Sequence, residues 1–442
     1  MPTATLTSET LALHGGPKAI PEAREDLFRW PIITKADEDA VLDVLRRGAM
    51  SGTDVTQQFE KEIAAWFGVK HALAHPNGTS SLLAALFAVG VGQGDEVICP
   101  SLTFWASVTS AMSLGASIHF CDVDPQTVCI DPDDFERRIG PRTKAVVAVH
   151  YSGHPCDMNR IMAIARKHNI KVVEDISHAH GTLYKGRLVG TFGDVAGMSL
   201  MSGKSLAAGE GGMLITNDRM VFERAVAWGH YERTAPGTKY FSGEPFITDP
   251  ALQRFAGIPL GGCKNRFNQL SAALGRVQLK HYRGRMEEIQ HAMNRFWDLW
   301  EQQELPGVRA HRTPQDSGSS MGGWYNPLAL YNAQELHGLP VPKFCEALNA
   351  EGFKCGPGAN KPLHLHPLYH EADVYHAGKP TNIAHAARDV RLQAGHLPGA
   401  ESIAHGAIMI PWFKHDRPES IEQHVAALAK VTRAALEKRL KA

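Results

Sequence analysis

The chain has no excess of charge of either sign. Lysine plus arginine number 46 and aspartate plus glutamate 46, so the formal net charge is zero. That balance removes the basic footprint that nucleic acid or an anionic membrane surface requires. Cysteine is sparse and unpatterned. Cys99, Cys121, Cys129, Cys156, Cys263, Cys345 and Cys355 form no C-x-x-C pair, and their number is odd. This argues against a disulfide framework and for reduced thiols. No stretch approaches the roughly 20 apolar residues of a membrane helix. The first 20 residues lack a charged segment followed by an apolar run, so no signal peptide is expected and the expected location is cytoplasmic. Internal repeats and low-complexity tracts are also missing.

What is present is length. At 442 residues and 43% hydrophobic content, the chain can fill two cores. Residues 1–30 show little periodicity and are expected to form an arm. Helical spacing follows over 36–47 and 55–67. Strands predicted at 71–74, 96–99, 117–122, 144–150 and 171–174 then alternate with helices predicted at 80–89, 104–114, 132–139 and 157–168. Two further strands are expected at 195–199 and 213–216. Such alternation predicts an α/β fold with a largely parallel sheet covered by helices on both faces. The helical stretch 267–302 is longer than usual and is expected to link two domains. A strand over 324–331, a helix over 342–351, a strand over 405–410 and a terminal helix over 420–441 describe a smaller α+β unit. The expected division is an arm over 1–30, a large α/β domain over 31–280 and a small domain over 281–442. Residues 232–260 carry several glycines and prolines without periodicity and read as a long functional loop or lid.

Four segments carry chemistry. In Pro76-Asn77-Gly78-Thr79-Ser80, Gly78 permits a tight turn, and Thr79 and Ser80 place hydroxyl and amide groups at a helix start, where a phosphate fits. The bland alternative is an ordinary helix cap. In Pro100-Ser101-Leu102-Thr103-Phe104-Trp105, a strand ends and two aromatics follow, placed where α/β sheets bind ligands and able to stack on a flat ring or to pack in a core. In Glu174-Asp175-Ile176-Ser177-His178, a buried strand ends in an acid that needs a cation or donors, or caps the next turn. His178 is a candidate for hydrogen bonding to a ring hydroxyl. The fourth segment is Ser199-Leu200-Met201-Ser202-Gly203-Lys204 before Gly209-Glu210-Gly211-Gly212. A lysine brought close to a strand-end aspartate is the pair that pyridoxal 5'-phosphate (PLP) needs. The lysine forms a Schiff base and the acid keeps the pyridine nitrogen protonated, so that the ring acts as an electron sink. Ser199 is placed to reach a phosphate oxygen.

Two decoys are set aside. Gly203-Lys204-Ser205 resembles the end of a P-loop, but position 198, where that motif needs glycine, is Met198. His150 with His154, and His364 with His366 and His370, lie close in sequence, yet Pro155 and Pro367 break the geometry and no ordered acids or cysteines join them, so no metal is expected.

In this order the segments resemble the DegT/DnrJ/StrS family of sugar and cyclitol aminotransferases. The resemblance rests on Asn77-Gly78-Thr79, Gly94-Asp95-Glu96-Val97, Glu174-Asp175 with His178 and Gly181, Tyr184-Lys185-Gly186-Arg187, Gly193-Asp194, and Lys204 followed by Gly209-Glu210-Gly211-Gly212. Lys264-Asn265-Arg266 and Ala272-Ala273-Leu274-Gly275 extend it. It implies the aspartate-aminotransferase (PLP fold type I) architecture, with a seven-stranded, mainly parallel sheet, and a homodimer with shared active sites. It implies Lys204 as the Schiff-base lysine, Asp175 at the pyridine nitrogen, His178 near the ring hydroxyl, Gly78, Thr79, Ser80 and Ser199 at the phosphate, and Phe104 stacked on the ring. Lys264 stands where many members have an Asn that reaches the neighbouring subunit's phosphate. Ser51, Gly52, His180 and His366 fall near the substrate by the same analogy. The implied activity is transfer of an amino group from glutamate or glutamine to a keto-sugar or cyclitol ketone, in antibiotic or surface-glycan synthesis. A lyase, decarboxylase or oxidase using PLP, and a non-catalytic sensor on the same fold, are the alternatives. The segment before Lys204 lacks the aromatic common there, and Gly229-His230-Tyr231-Glu232 with the loop after it departs from the family pattern. These departures bear on the substrate. Lys204 itself separates the chain from the dehydratase branch, which has His there.

Overall fold

In a computed structural model of the protein, residues 10–22, 24–235 and 237–440 are described. Residues 1–9 of the expected arm, single positions at 23 and 236, and residues 441–442, the first of which ends the expected terminal helix, lie outside them.

All seven strands expected in the first half form: β1 (His71–His75), β2 (Glu96–Pro100), β3 (Ser117–Cys121), β4 (Thr143–Val149), β5 (Lys171–Asp175), then, after a small hairpin of β6 (Leu183–Tyr184) and β7 (Arg187–Leu188), β8 (Val195–Ser199) and β9 (Gly212–Thr216). They make one sheet in the order β1-β9-β8-β5-β4-β2-β3. The β3-β2-β4-β5-β8 run is parallel. Only β9 runs against both of its neighbours. The apolar strands, such as Ala145 to Val149 in β4, are buried on both faces. That double burial is why they read as continuous apolar runs without alternation. The helix Gly78–Ala88, almost wholly Ala, Leu and Phe beyond its first turn, lies across β8 and β9.

A second sheet is antiparallel and small, in the order β10 (Val308–Ala310), β11 (Leu328–Tyr331), β13 (Ala407–Met409), β12 (Gly356–Pro357). The helix Gln269–Glu301 has 33 residues, about 50 Å at 1.5 Å per residue. Its first part, with Ala272, Ala273, Leu279 and Tyr282, enters the core under the large sheet. Its second part, with Ile289, Met293, Phe296 and Trp297, enters the core under the small one.

Three local expectations are corrected. Residues 104–114 form no α-helix but two short 3-10 turns, Trp105–Ser107 and Thr109–Leu114, broken at Val108. Hydroxyl and β-branched side chains there favour local bonds over helix, and Ser107 is bonded to Asp175 instead. The strand expected over 324–331 starts only at Leu328, because Trp324 (φ 52°) and Asn326 (φ 48°) are left-handed. Gly322-Gly323 and Asn326-Pro327 are the turn signals that override the apolar pattern. The strand expected over 405–410 is Ala407–Met409, preceded by an unforeseen helix Pro398–Gly406 with proline at its start. The irregular stretch before that helix closes the edge of the large sheet. Asn382 accepts from the Ile118 amide at 2.7 Å and donates to its carbonyl at 3.2 Å, blunting β3. Arg388 holds Glu96 with two bonds of 2.8 and 2.7 Å.

Candidate active site

At the carboxyl ends of β4, β5 and β8 a cavity of about 350 Å³ opens, lined by Gly78, Thr79, Phe104, Asp175, His178, Ser199 and Lys204. Sheet topology places these groups together, since parallel strands deliver all their ends to one rim.

The first wall is the turn after β1. Asn77 caps the helix Gly78–Ala88 by accepting from the Ser80 amide at 2.8 Å. The cap is therefore Asn77, and the Thr79 side chain is left to face the cavity. Ser80 itself is not part of the lining. A Cβ on Gly78 would stand 2.7 Å from the Ser199 Cβ, so only glycine lets the helix start sit against the end of β8. Gly212 allows a similar approach, because a Cβ there would meet the Asn77 carbonyl oxygen at 2.3 Å.

Glu174 and Asp175 point to opposite sides of β5. Glu174 is fully buried and serves structure. It pairs with His150 at 3.1 Å and accepts from the amides of Gly190, Phe192 and Gly193. Burial alone would push its carboxyl up, but these bonds hold it below the usual range. Asp175 faces the cavity and is 5% exposed. One oxygen accepts from the Ser177 amide at 3.0 Å, which is the turn cap foreseen as its bland role. The other accepts from the Ser107 hydroxyl at 2.7 Å, and Thr103 lies 2.8 Å behind Ser107. Among the described residues no lysine or arginine is ion-paired with this buried carboxylate, whose partners are the two donors just named.

Lys204 is 8% exposed. Burial lowers its amine to about 8, and the more distant charge of Asp175 opposes that shift. Its Nζ stands 4.0 Å from the centre of the Tyr325 ring. His178 lies beside the same ring, at 4.5 Å between centroids. Burial first, then the Lys204 charge, push its imidazole well below the ordinary value, so it is neutral. Its Nδ1 accepts the Ser152 amide at 3.2 Å, which leaves the proton on Nε2. Phe104 and Trp105 stand at the mouth, 49% and 48% exposed.

The remaining expected residues lie elsewhere. His180 is fully buried below the site, with its nitrogens on the Ser199 carbonyl (2.8 Å) and the Ser205 hydroxyl (3.2 Å). Ser205 is thereby committed to internal bonds, unlike the last residue of a P-loop. His366 is exposed and accepts from the Leu368 amide. Lys264 and Ser51 are exposed and, like Gly52, lie outside the cavity of their own chain. Gln269 ties the 49–52 turn to the chain just after Lys264, donating to the Ala49 carbonyl at 2.7 Å. His364 is bonded between Ser101 (2.7 Å) and Glu401 (3.1 Å). Residues that sequence reasoning missed include Ser107, Tyr325 and Asn360. The Asn326-Pro327 dipeptide was a readable sign that Tyr325 stands on a turn; nothing comparable marks Ser107 or Asn360.

PLP is an anionic ring with an aldehyde, and this cavity fits it. A buried amine without a carboxylate in reach, a buried acid on one wall and a helix start built on Gly78 supply the three complements. A seven-stranded sheet of this order with a buried lysine between β8 and β9 suits an enzyme of the PLP-dependent class. The profile of the DegT/DnrJ/EryC1/StrS aminotransferase family matches residues 31–392, and the chain belongs to that family. It is 34% identical over 359 residues to the spore coat polysaccharide biosynthesis protein SpsC of Bacillus subtilis (strain 168), covering 79% of this chain and 86% of that one. It is also 34% identical over 362 residues to the L-glutamine:2-deoxy-scyllo-inosose aminotransferase of Streptomyces kanamyceticus, covering 78% and 79%. Among solved structures, the aminotransferase from Psychrobacter cryohalolentis superposes with a TM-score of 0.76 at 28% identity, covering 93% of this chain and 99% of that one.

Proposed function

We propose that this aminotransferase carries PLP on Lys204 and moves an amino group from glutamine or glutamate to a ketone on a cyclitol or sugar ring. The observation that carries this reading is the buried Lys204 amine, lowered to about 8, facing the same cavity as Asp175. When bound, PLP supplies the electron sink and carries the nitrogen between donor and acceptor.

The chain's own groups then have distinct tasks. Lys204 attaches the cofactor, and its amine, neutral in a useful fraction near pH 8, moves a proton at the substrate carbon. Asp175, steadied by Ser107, holds a proton on the pyridine nitrogen. His178 offers its Nε2 proton to the ring hydroxyl. Gly78, Thr79 and Ser199 form the phosphate cradle, with Ser80, expected there from sequence, left outside the lining, and Phe104 covers the ring. Lys204 is the one cation in the lining, so the phosphate needs a further positive group. We assign that role to Lys264 of a second copy. Lys264 and Ser51 are exposed and, with Gly52, stand outside the cavity of their own chain, and this supports a homodimer with shared sites. His180, bonded to the Ser199 carbonyl, is read as steadying the end of β8 beneath the site, and the exposed His366 has no task in the cavity of its own chain. Of the expected division into an arm (1–30), a large domain (31–280) and a small domain (281–442), the change of core along the helix Gln269–Glu301 supports the boundary near 280, whereas Leu392, Leu397 and Ile403 return to the large core and Leu11 and Ile20 join the small one. Among the described residues no helix is long and apolar enough to cross a membrane, and all seven cysteines are free thiols, which supports work in the cytoplasm.

The acceptor class draws on the name of the Streptomyces kanamyceticus relative, a glutamine-dependent enzyme acting on 2-deoxy-scyllo-inosose. Incubation with amino-labelled ¹⁵N-glutamine and a keto-cyclitol tests it. Label appearing on the ring carbon, abolished by Lys204→Ala, is the expected result. Carbon dioxide or ammonia released without ring amination would replace it with a decarboxylase or lyase.

A further inference from the structure

We propose that Trp412 is a positioning residue for Lys204, acting through Trp30 on the lysine's backbone and through Tyr325 on its amine. The inference rests on the reading of Lys204 as the cofactor's anchor.

Lys204 is held at both ends by aromatic rings. At the backbone, the Trp30 indole donates to the Lys204 carbonyl at 2.8 Å. At the side chain, Nζ lies 4.0 Å over the Tyr325 ring. These two rings come from different parts of the chain, one before the first long helix and one before β11. Both converge on Trp412, just after β13, with ring centroids 5.4 Å from Trp30 and 6.1 Å from Tyr325. The next turn strengthens the join. Lys414 lies 4.3 Å over the Trp412 ring and donates to the Phe28 carbonyl at 2.9 Å, two residues before Trp30.

Two further observations mark this arrangement as costly, and therefore as more than filler. Tyr325 stands between two left-handed residues, Trp324 and Asn326. Trp324 is itself buried and bonded through its indole to Gln290. Backbone strain of this kind persists where the surroundings impose it, and it clusters at working sites. The Trp412 indole N–H is buried and, among the described residues, has no hydrogen-bond partner, so ring and packing contacts hold that side chain. The lysine is thus clamped by the small sheet's side of the molecule, although its own loop belongs to the large sheet. The clamp keeps water from the amine. Without it the amine is wetter and moves back toward the ordinary lysine value.

The test uses the full-length protein stripped of PLP, with PLP itself as the probe. Only the neutral amine captures the aldehyde, so capture rate against pH reports the Lys204 midpoint. Wild type is expected to show a midpoint near 8. Trp412→Leu is expected to raise it by about one unit and to slow capture at pH 7 about tenfold, since one unit is a factor of ten in neutral amine. Trp412→Phe is expected to restore the rate within about threefold of wild type. A ring that merely packed would lower the melting temperature and leave the midpoint in place. Trp412→Leu with a native circular dichroism spectrum and a wild-type midpoint overturns the proposal. Should Trp412→Leu fail to fold, Tyr325→Leu and Trp30→Phe decide it, and a wild-type midpoint in both overturns it equally. Wild type that captures no PLP at any pH sinks the cofactor reading instead, which is a separate outcome.

Discussion

Gly78 and Ser199 meet so closely that a Cβ on the glycine would lie 2.8 Å from the serine's Cα, a backbone atom that cannot swing aside. The contact joins the start of the helix Gly78–Ala88 to the end of β8. It therefore sets the width of the proposed phosphate cradle. Gly78→Ala is expected to weaken PLP binding at least tenfold, measured by titration of the apoprotein. Gly284→Ala is the control. That glycine lies in the long helix with nothing within 4 Å of its Cβ position, so alanine is expected to stabilise by roughly 1 kcal/mol without touching PLP affinity.

Ser107 lends Asp175 a hydrogen bond of 2.7 Å in a buried setting. Ser107→Ala removes a donor to a charged group, worth about 1.5–3 kcal/mol. PLP affinity and kcat are expected to fall together, and unfolding in urea should show the loss in the apoprotein. Asp175→Asn keeps the shape and removes the charge. Its expected signature is a kcat lower by about 10²–10³-fold. A kcat within a few-fold of wild type would remove Asp175 from its assigned role.

Burial of Lys204 costs the apoprotein stability in a pH-dependent way. Burial lowers the amine to about 8 in the folded chain from the ordinary lysine value of 10.5. The unfolded chain therefore holds more protons between those values. Stability attributable to this group rises as pH climbs from about 8 to 10.5, and the full cost is present below 8. The size is about 3 kcal/mol. Lys204→Met is expected to stabilise the apoprotein at pH 7 by up to that amount and to flatten its stability between pH 8 and 10. Differential scanning calorimetry across that range checks both.

Arg233 opens the 232–260 loop with a fully buried ion pair to Glu60, two contacts of 2.8 Å. Arg233→Met strands a buried carboxylate and is expected to cost about 3–5 kcal/mol. The double change Glu60→Leu with Arg233→Met should recover most of it. A double variant no more stable than the single one would show that the pair is not what anchors the loop.

Much of this molecule was legible in the sequence because parallel strands buried on both faces leave uninterrupted apolar runs. All seven large-sheet strands and the spacing of Asp175 and Lys204 follow from that signal. The failures have physical causes. Residues 104–114 look helical by spacing, yet Ser107 spends its hydroxyl on the distant Asp175, with Thr103 bonded behind it, which only tertiary structure reveals. Trp324 to Pro327 look like strand by composition, yet the Asn-Pro pair and two glycines turn the chain. Asn382 and Arg388 had no periodic signal at all, because a loop that seals a sheet edge is recognised by what it reaches and not by its own pattern.

β9 runs backwards, and this alone makes the connection that bears Lys204 a direct return between adjacent strands, with Ser199 paired to Gly212 at its base. The parallel neighbours in this sheet are joined by longer excursions that cross a face. A return loop has both feet planted on the same floor. Beyond those feet the Leu200 and Ser202 amides donate to the Gly211 and Gly209 carbonyls, so the two arms stay zipped up to the tip, and the standing height of the Lys204 amine follows from the loop's own bonds.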